Sequence, residues 1–279
     1  MATTIIWGTS FVILKSALDY ITPLWVLAIR FCGAGLLLLL ACIPVLKKVD
    51  KSYLAGGALM GLMLAAAYTV QTYGLVYTTP GKNAFLTATY CVLVPFLYWL
   101  FYKKKPDRYN VSAAIICLAG MGFVCLNEDL SVNIGDALTI CCGLFYGIHI
   151  IVTSKYVEGH NPLLLTAIQF AVAGIICFGS ALLFEPAPHD VPADSWYAIA
   201  YLCIVCTGVC YVFQTFGQKH TPASAASIIL TLESVFVTVI SIALGRENLT
   251  LSIGIGFCLI FIAVLISETK LSFLQKKGS

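Results

Sequence analysis

Long apolar runs follow one another along nearly the whole chain, and they constrain its fold more than any other feature. A bilayer core is crossed by about 20 apolar residues of helix, and polar breaks such as KKVDK at 47–51 and KKKPDR at 103–108 divide the sequence into runs of that length. The runs lack the alternation of barrel strands, so helices are the expected spanning element. We predict an all-α integral membrane fold with ten transmembrane helices, near residues 2–18, 23–46, 53–77, 83–102, 109–126, 134–154, 161–184, 196–217, 222–244 and 250–268.

Composition excludes a water-soluble fold. Of the 279 residues, 60% are hydrophobic and 10% are charged, and the mean hydropathy is +0.94. Polar side chains are therefore too few to cover a solvated surface. The net charge of +3 is too small to indicate nucleic acid. The expected partners are the lipid bilayer and a small-molecule substrate, with no nucleic acid.

The basic residues predict the orientation, because Lys and Arg concentrate in cytoplasmic loops. With the N-terminus inside, only Lys82 and Arg246 fall on the outer side. We therefore predict a multi-pass protein of the cell (plasma or cytoplasmic) membrane, with both termini in the cytoplasm. Twelve basic residues fall in the cytoplasmic segments: Lys47, Lys48, Lys51, Lys103, Lys104, Lys105, Arg108, Lys155, Lys219, Lys270, Lys276 and Lys277.

An octapeptide occurs twice in nearly the same form. It reads AYTVQTYG at 67–74 and CYVFQTFG at 210–217, an offset of 143. A second block recurs at an offset of 139, where Pro23, Phe31 and Gly35 match Pro162, Phe170 and Gly174. Matches at nearly one offset indicate an internal duplication.

The duplication predicts how the helices are organised. We expect an N-terminal five-helix repeat at 1–128, a C-terminal five-helix repeat at 133–270 and a cytoplasmic tail at 271–279. Because five is odd, the second repeat enters the membrane inverted. Inverted repeats form a site near the midplane that opens to each side in turn.

Polar and aromatic residues inside the predicted helices mark the candidate site. A glutamine that faces lipid would leave its amide unsatisfied, so the repeated Gln71 and Gln214 are expected to face a shared cavity. Glu233 either binds a substrate ammonium, carries a coupling proton, or is a structural residue bonded to helix ends or to Gln214. The aromatic residues favour aromatic, aliphatic or cationic substrates. The predicted cavity comprises Trp7, Phe11, Tyr68, Gln71, Tyr90, Tyr146, His149, Tyr211, Gln214 and Glu233.

Three residues have competing interpretations. Arg30 contacts a substrate carboxylate or packs within the bundle. Lys15, near the outer end of the first span, extends to the interface, or it acts as a gate or an anion contact. His149 is a buried packing residue or a proton relay.

The twelve cysteines all fall within the predicted apolar spans. Cys203 and Cys206 form a CxxC spacing, but no second pair or histidine follows at ligand spacing. We expect reduced thiols that pack as small hydrophobic side chains. Neither a metal nor a cofactor is predicted.

Several short segments stand in a fixed order along the chain: WGTSFVILK at 7–15, RF at 30–31, TP at 79–80 and 221–222, LESVF at 232–236 and GRENLT at 245–250. This ordered set resembles the drug/metabolite transporter superfamily, EamA type. The resemblance implies ten helices in two inverted repeats and movement of small metabolites, often amino acids, without ATP. It also implies a cavity between helices one, three, four, six, eight and nine. Ser234 departs from the family motif, where proline usually follows the glutamate, and Arg246 stands where glycine is usual.

Three classes of function compete. An enzyme is not expected, because the sequence contains no HExxH pair, Gly-rich phosphate loop, GxSxG motif or paired carboxylates. A channel would show a ring of repeated filter residues. We therefore predict a secondary active transporter, an exporter of small metabolites such as amino acids or related amines by alternating access, with possible proton coupling. The alternatives are a multidrug or lipophilic-cation efflux pump, followed by a channel.

Overall fold

The structure is a computed structural model, and it describes residues 2–125, 133–244 and 250–270. In these ranges the regular structure is helical throughout. A 3₁₀ turn lies at Ile43–Lys48 and a π-helix at Leu202–Val209. The α-helices are α1 Ala2–Ala17, α2 Pro23–Ala41, α3 Lys51–Tyr77, α4 Pro80–Thr87, α5 Tyr90–Tyr102, α6 Arg108–Cys125, α7 Ile134–Val157, α8 Pro162–Phe184, α9 Ala193–Tyr201, α10 Cys210–Gln218, α11 Ala223–Leu230, α12 Leu232–Ala243 and α13 Leu251–Thr269.

The helices match the predicted apolar runs. Within the described ranges, seven are long and apolar enough to cross a membrane: Pro23–Ala41, Lys51–Tyr77, Pro80–Tyr102, Ile134–Val157, Pro162–Phe184, Ala193–Gln218 and Ala223–Ile240. Helices α1, α6 and α13 stand where the other three spans are predicted. An all-helical, multi-pass membrane architecture is therefore confirmed. The crossing of the bilayer by all ten segments, and their inverted arrangement, stay predictions.

Three of the predicted spans are interrupted within the bundle. The fourth changes from α4 to α5 at Ala88 and Thr89, and the ninth changes from α11 to α12 at Thr231. The eighth contains the π-helix between α9 and α10. Such irregular turns free backbone groups for other partners and are frequent at functional sites.

Polar residues and prolines define where the helices begin. The side chains of Asp50 and Thr79 accept hydrogen bonds from the third backbone amides beyond them, at the starts of α3 and α4. Asn133 and Asp136 form a reciprocal capping box on α7. These caps supply partners to amides that have none inside the helix.

Small residues allow the helices to pack closely. The principal pairs are α2 with α8, α3 with α7, α6 with α13, and α3 with α8. A side chain at Gly61 would collide with the Gln169 carbonyl on α8, and one at Gly120 with the Gly256 carbonyl on α13. These close approaches replace a hydrophobic driving force that is weak between helices in lipid.

Candidate functional site

A small cavity lies at the centre of the bundle, between α1, α2, α3, α4, α5, α7, α10, α11 and α12. The space open to water centres is about 40 Å³. A water molecule needs roughly 10–15 Å³ on this measure, so the cavity holds a few waters. Its lining comprises Trp7, Ser10, Phe11, Leu14, Arg30, Tyr68, Gln71, Thr87, Tyr90, Tyr146, Ile150, Tyr211, Gln214, Leu230 and Glu233.

The cavity brings together most of the residues selected from the sequence. Arg30 lies on its wall, together with nine of the ten residues of the predicted binding cavity: Trp7, Phe11, Tyr68, Gln71, Tyr90, Tyr146, Tyr211, Gln214 and Glu233. His149 and Lys15 lie elsewhere. Sequence reasoning missed Ser10, Leu14, Thr87, Ile150 and Leu230, which carry no charge and resemble their apolar surroundings.

Arg30 is a buried cation held by the π-helix. Its side chain is 1% exposed, and its Nε donates to the Thr207 hydroxyl at 3.0 Å. The Thr207 hydroxyl in turn donates to the Leu202 carbonyl, five residues earlier, at 2.8 Å. The Arg30 guanidinium also lies 5.0 Å from the centre of the Tyr68 ring. The irregular turn therefore supplies the acceptor that fixes this cation at the cavity wall.

Glu233 is a buried carboxylate at the start of α12, just after the break at Thr231. It is 5% exposed, and the described residues include no hydrogen-bond or ion-pair partner for its side chain. The positive end of the α12 dipole favours a negative charge at this position. The side chain of Gln214 bonds to Gln218 at 3.3 Å instead of to Glu233. The structure thus leaves this carboxylate free to meet a ligand in the cavity.

The side-chain amide of Gln71 is hydrogen-bonded at both ends. Its Nε2 donates to the Thr87 hydroxyl at 3.0 Å, and its Oε1 accepts from the Tyr146 hydroxyl at 2.9 Å. Thr87 precedes the break between α4 and α5, so Gln71 joins that break to α3 and α7. Although Gln71 lines the cavity, its hydrogen bonds make it a structural link.

Aromatic rings form one wall of the cavity. Tyr211 contacts Trp7 and Tyr68, with ring centres 5.1 and 6.1 Å apart. Tyr146 contacts Tyr68 at 5.6 Å and Tyr90 at 6.3 Å. The Trp7 Nε1 donates to the Cys206 carbonyl of the π-helix at 2.7 Å. This wall presents aromatic faces, which are suited to contacts with rings or cations.

His149 lies behind the aromatic wall, outside the cavity lining. Its Nε2 bonds to the Gln169 Oε1 at 3.0 Å, and its ring centre is 6.0 Å from that of Tyr211. His149 lies three residues beyond Tyr146 on α7. Its side chain points toward α8, where Gln169 lies. His149 therefore does not line the cavity, and the structure places it out of direct contact with a substrate there.

Lys15 lies at the end of the bundle that the sequence predicts to face outward. Its Nζ donates to three carbonyls at the C-terminus of α3, those of Leu75 at 2.6 Å, Val76 at 3.0 Å and Thr78 at 3.2 Å. A cation is favoured there by the negative end of the helix dipole. Lys15 therefore ties α1 to α3 above the cavity.

Three further polar contacts, made by Lys82 and Glu185, close this same end. Lys82 pairs with Asp136 at 2.8 Å and joins the start of α4 to the start of α7. Glu185, which follows α8, accepts from the Leu24 amide at 2.9 Å and from the Tyr73 hydroxyl at 2.6 Å. The predicted outer end is thus bridged between several helices.

The opposite end of the bundle holds a much larger opening, which we name the vestibule. Its space open to water centres is about 660 Å³. At its rim Asp107 pairs with Lys270 at 2.8 Å, and this hydrogen bond holds the pKa of the Asp107 carboxyl below its ordinary value. The lining residues are Pro95, Tyr98, Tyr102, Lys104, Lys105, Pro106, Asp107, Asn110, Ile151, Ser154, Lys155, Glu158, Gln218, Lys219, His220, Thr221, Pro222, Ala223 and Ser224.

The cysteines form no candidate metal centre in the part of the chain that the structure describes. No group of three or more His, Cys, Asp or Glu side chains there could hold a metal ion. Cys203 and Cys206 are both buried free thiols.

An apolar helical bundle with helices long enough to cross a bilayer, around a small cavity lined by aromatic and buried polar side chains, is the architecture of a multi-pass membrane protein. The model of the EamA-like transporter family matches residues 1–126 and 133–269. The chain belongs to this family of transporters.

Individual relatives agree with this assignment, and a solved structure shares the fold. An uncharacterized transporter of Archaeoglobus fulgidus is 35% identical over 263 residues, which cover 94% of this chain and 82% of that protein. The uncharacterized transporter YoaV of Bacillus subtilis is 24% identical over 96% of this chain and 94% of its own length. A protein crystal structure with 14% identity has a TM-score of 0.78 over 100% of this chain and 96% of that chain, which shows a shared fold.

Proposed function

We propose that this protein is a secondary active transporter that exports a small zwitterionic metabolite, such as an amino acid or a related amine. One observation carries the proposal. Arg30 and Glu233 line the same cavity, both are almost fully buried, and they make no ion pair with each other. A buried charge without a partner is costly. A zwitterion would supply the opposite charge that each of these two side chains lacks.

The chemistry of the two side chains favours specific roles. The guanidinium of Arg30 presents a planar set of donors that matches a carboxylate. Glu233 accepts hydrogen bonds from an ammonium, or it carries a coupling proton when the ammonium is absent. The aromatic wall encloses the apolar part of the solute.

Transport by alternating access is supported by signs of an internal duplication. The family model matches two consecutive segments of similar length. The helix breaks at Thr89 and Thr231 are 142 residues apart, the same offset that relates Thr79 and Pro80 to Thr221 and Pro222. The pairs α2 with α8 and α6 with α13 each join corresponding helices of the two segments. These features favour two inverted five-helix repeats.

Export from the cytoplasm is supported by the shape of the bundle. The vestibule lies at the end that carries Lys104, Lys105 and Lys155, the end that the basic residues predict to be cytoplasmic. The opposite end is bridged by Lys15 and by the pair of Lys82 with Asp136. A cytoplasmic solute would enter from the vestibule of a protein in the cell membrane.

Efflux of lipophilic cations is the second candidate. It is supported by the aromatic wall and by the unpaired carboxylate of Glu233. Arg30 opposes it, because a cation bound in the cavity would be repelled by the guanidinium.

A transport assay with three matched solutes tests the proposal. The purified protein is reconstituted into vesicles and supplied with an amino acid, its decarboxylated amine or its deaminated acid. We expect saturable transport of the amino acid. Arg30→Gln should weaken transport of solutes with a carboxylate, and Glu233→Gln should weaken transport of solutes with an ammonium. Transport of quaternary lipophilic cations alone, unaffected by Arg30→Gln, would instead establish the second candidate.

A further inference from the structure

Two glutamines one turn apart on α10 connect the cavity to the vestibule. Gln214 lines the cavity and Gln218 lines the vestibule. The Nε2 of Gln214 donates to the Oε1 of Gln218 at 3.3 Å. The Nε2 of Gln218 donates to the backbone carbonyl of Ile150 on α7 at 3.2 Å. The two amides thus form a directed chain of hydrogen bonds between the two spaces.

The carbonyl at the end of this chain fixes its direction. The oxygen of Ile150 only accepts hydrogen bonds, so Gln218 must turn its NH₂ group toward it. The Oε1 of Gln218 then faces Gln214, which must in turn donate through its own NH₂ group. The Oε1 of Gln214 is what remains at the cavity end.

That remaining oxygen has no partner among the described residues. The atom is buried and Gln214 as a residue is 7% exposed, so a donor would approach this acceptor from the cavity that Gln214 lines. A buried acceptor without a donor is costly, and a ligand with a donor removes the cost. Gln71, the counterpart of Gln214 in the octapeptide, differs because both ends of its amide are already bonded.

We propose that Gln214, oriented by Gln218, is a specificity-determining acceptor for an N–H group of the substrate ammonium. This inference rests on the proposed function and narrows its substrate class to compounds whose ammonium carries N–H donors. Glu233 attracts any cation, but a quaternary ammonium has no N–H and leaves the Gln214 Oε1 unpaired. Sites with buried hydrogen-bonding groups reject ligands that cannot pair with them. Gln218 is a positioning residue, since it acts through Gln214.

Two pairs of ligands test the inference by thermal stabilisation of the purified protein. One pair is an amino acid and its N,N,N-trimethyl derivative, and the other is the decarboxylated amine and its N,N,N-trimethyl derivative. We expect the wild type to bind each N–H ligand at least about tenfold more tightly than its trimethyl partner. The measured quantity is this ratio of dissociation constants within each pair.

Three variants separate hydrogen bonding from size. Gln214→Leu keeps nearly the same volume and should bring the ratio close to one. Gln218→Leu should also lower the ratio, because Gln214 is then free to turn either amide end to the cavity. Gln218→Glu should preserve the ratio, since a carboxyl group in either protonation state still accepts from the Gln214 Nε2. If Gln214→Leu does not fold, the ratios measured in Gln218→Leu and Gln218→Glu still test whether the orientation of Gln214 determines specificity.

The outcomes distinguish this inference from the proposed function. An equal ratio in the wild type and in Gln214→Leu overturns the inference, because it shows exclusion of the methyl groups by size alone. Equal ratios in Gln218→Leu and Gln218→Glu overturn the positioning role. Binding of the amine pair without the amino-acid pair contradicts a zwitterionic substrate. The ratio of dissociation constants within the amine pair then still tests whether Gln214 selects for N–H donors. Failure of every ammonium compound to bind overturns both.

Discussion

At the scale of single residues, the cavity is defined by two opposite charges that the fold keeps apart. Arg30 is fixed on one wall through Thr207 and the Tyr68 ring, and Glu233 stands on another wall at the start of α12. Separated charges of this kind orient a dipolar ligand, because only one direction of binding pairs both ends.

The hydroxyl that holds Arg30 gives a test of this arrangement. Thr207→Val removes the acceptor at nearly constant volume, so the guanidinium loses a charge-assisted bond of about 1.5–3 kcal/mol. We expect the affinity for carboxylate-bearing solutes to fall by roughly tenfold or more as the guanidinium moves. Titration of the purified protein with an amino acid measures the effect.

The matched control is Thr153→Val. Thr153 is a buried threonine on α7 whose hydroxyl has no partner among the described residues, so its replacement should leave the affinity unchanged. Equal losses in both variants would show that Thr207 contributes only packing.

Gln71 should affect stability more than ligand binding. Gln71→Leu removes the bonds that the hydroxyls of Thr87 and Tyr146 make at 3.0 and 2.9 Å. Thr87 keeps its contact with the Cys142 Sγ at 3.4 Å, whereas a buried Tyr146 hydroxyl left unpaired costs about 1–3 kcal/mol. We expect a lower melting temperature in detergent without ligand. Tyr146→Phe, which removes one of the two bonds, should have a smaller effect. A normal melting temperature together with lost ligand binding would instead indicate that Gln71 contacts the ligand directly.

Residues were predictable from sequence where a polar side chain interrupts an apolar helix. Glu233, Gln214 and Arg30 stand out for this reason and line the cavity. Lys15 was less predictable, since eight residues of helix place it about 12 Å along α1 from Trp7 and beyond the cavity. Gln218 was detectable in principle, because it follows Gln214 by one helical turn.

At the scale of helices, the C-terminus of α3 depends on a lysine from another helix. Lys15 donates to the carbonyls of Leu75, Val76 and Thr78, groups that have no partner inside α3. The bonds therefore satisfy the end of one helix and fix the position of another.

Removal of this charge should loosen the predicted outer end. We expect Lys15→Met, which keeps an apolar stem of similar length, to destabilise the protein by roughly 1 kcal/mol through the lost dipole and hydrogen-bond contacts. Thermal unfolding measures it. Lys51→Met is the control, because Lys51 is an exposed residue at the N-terminus of α3, the helix whose C-terminus Lys15 contacts, and a cation is not favoured at an N-terminus. A larger loss in Lys51→Met would contradict this assignment.

Helix starts were more predictable than helix breaks. Pro23, Pro80 and Pro162 each occupy the first position of a helix, as expected for a residue without an amide donor. The breaks at Thr89 and Thr231 lie in TATYC and LTLES, which contain neither glycine nor proline. Tertiary contacts with the surrounding helices therefore determine where these two helical spans are interrupted.

At the scale of the whole molecule, the apolar runs determine an all-helical membrane protein, whereas the sequence does not reveal which faces meet. The run lengths follow from the thickness of a bilayer. The pairing of α3 with both α7 and α8 depends on close approaches at Gly74 and Gly61. The GxxxG spacing of Gly57 and Gly61 indicates close helix packing, but it does not specify which helix is the partner. The bundle was therefore predictable as a set of spans but not as an arrangement.

The predicted orientation is open to a direct measurement in cells. A fluorescent protein fused after Ser279 should fluoresce, because the basic loops place the C-terminus in the cytoplasm. Alkaline phosphatase fused at the same position should be inactive, whereas phosphatase fused after Glu185 should be active outside. The reverse pattern would place the vestibule outside and contradict export through it.

The small volume of the central cavity has a kinetic consequence. A solute the size of an amino acid has more atoms than the few waters that about 40 Å³ accommodates. The helices must therefore separate before the solute is seated, and the seating rate is bounded by the frequency of that separation. At high solute concentration the observed association rate should level off at a constant value, which is the opening rate of the bundle itself.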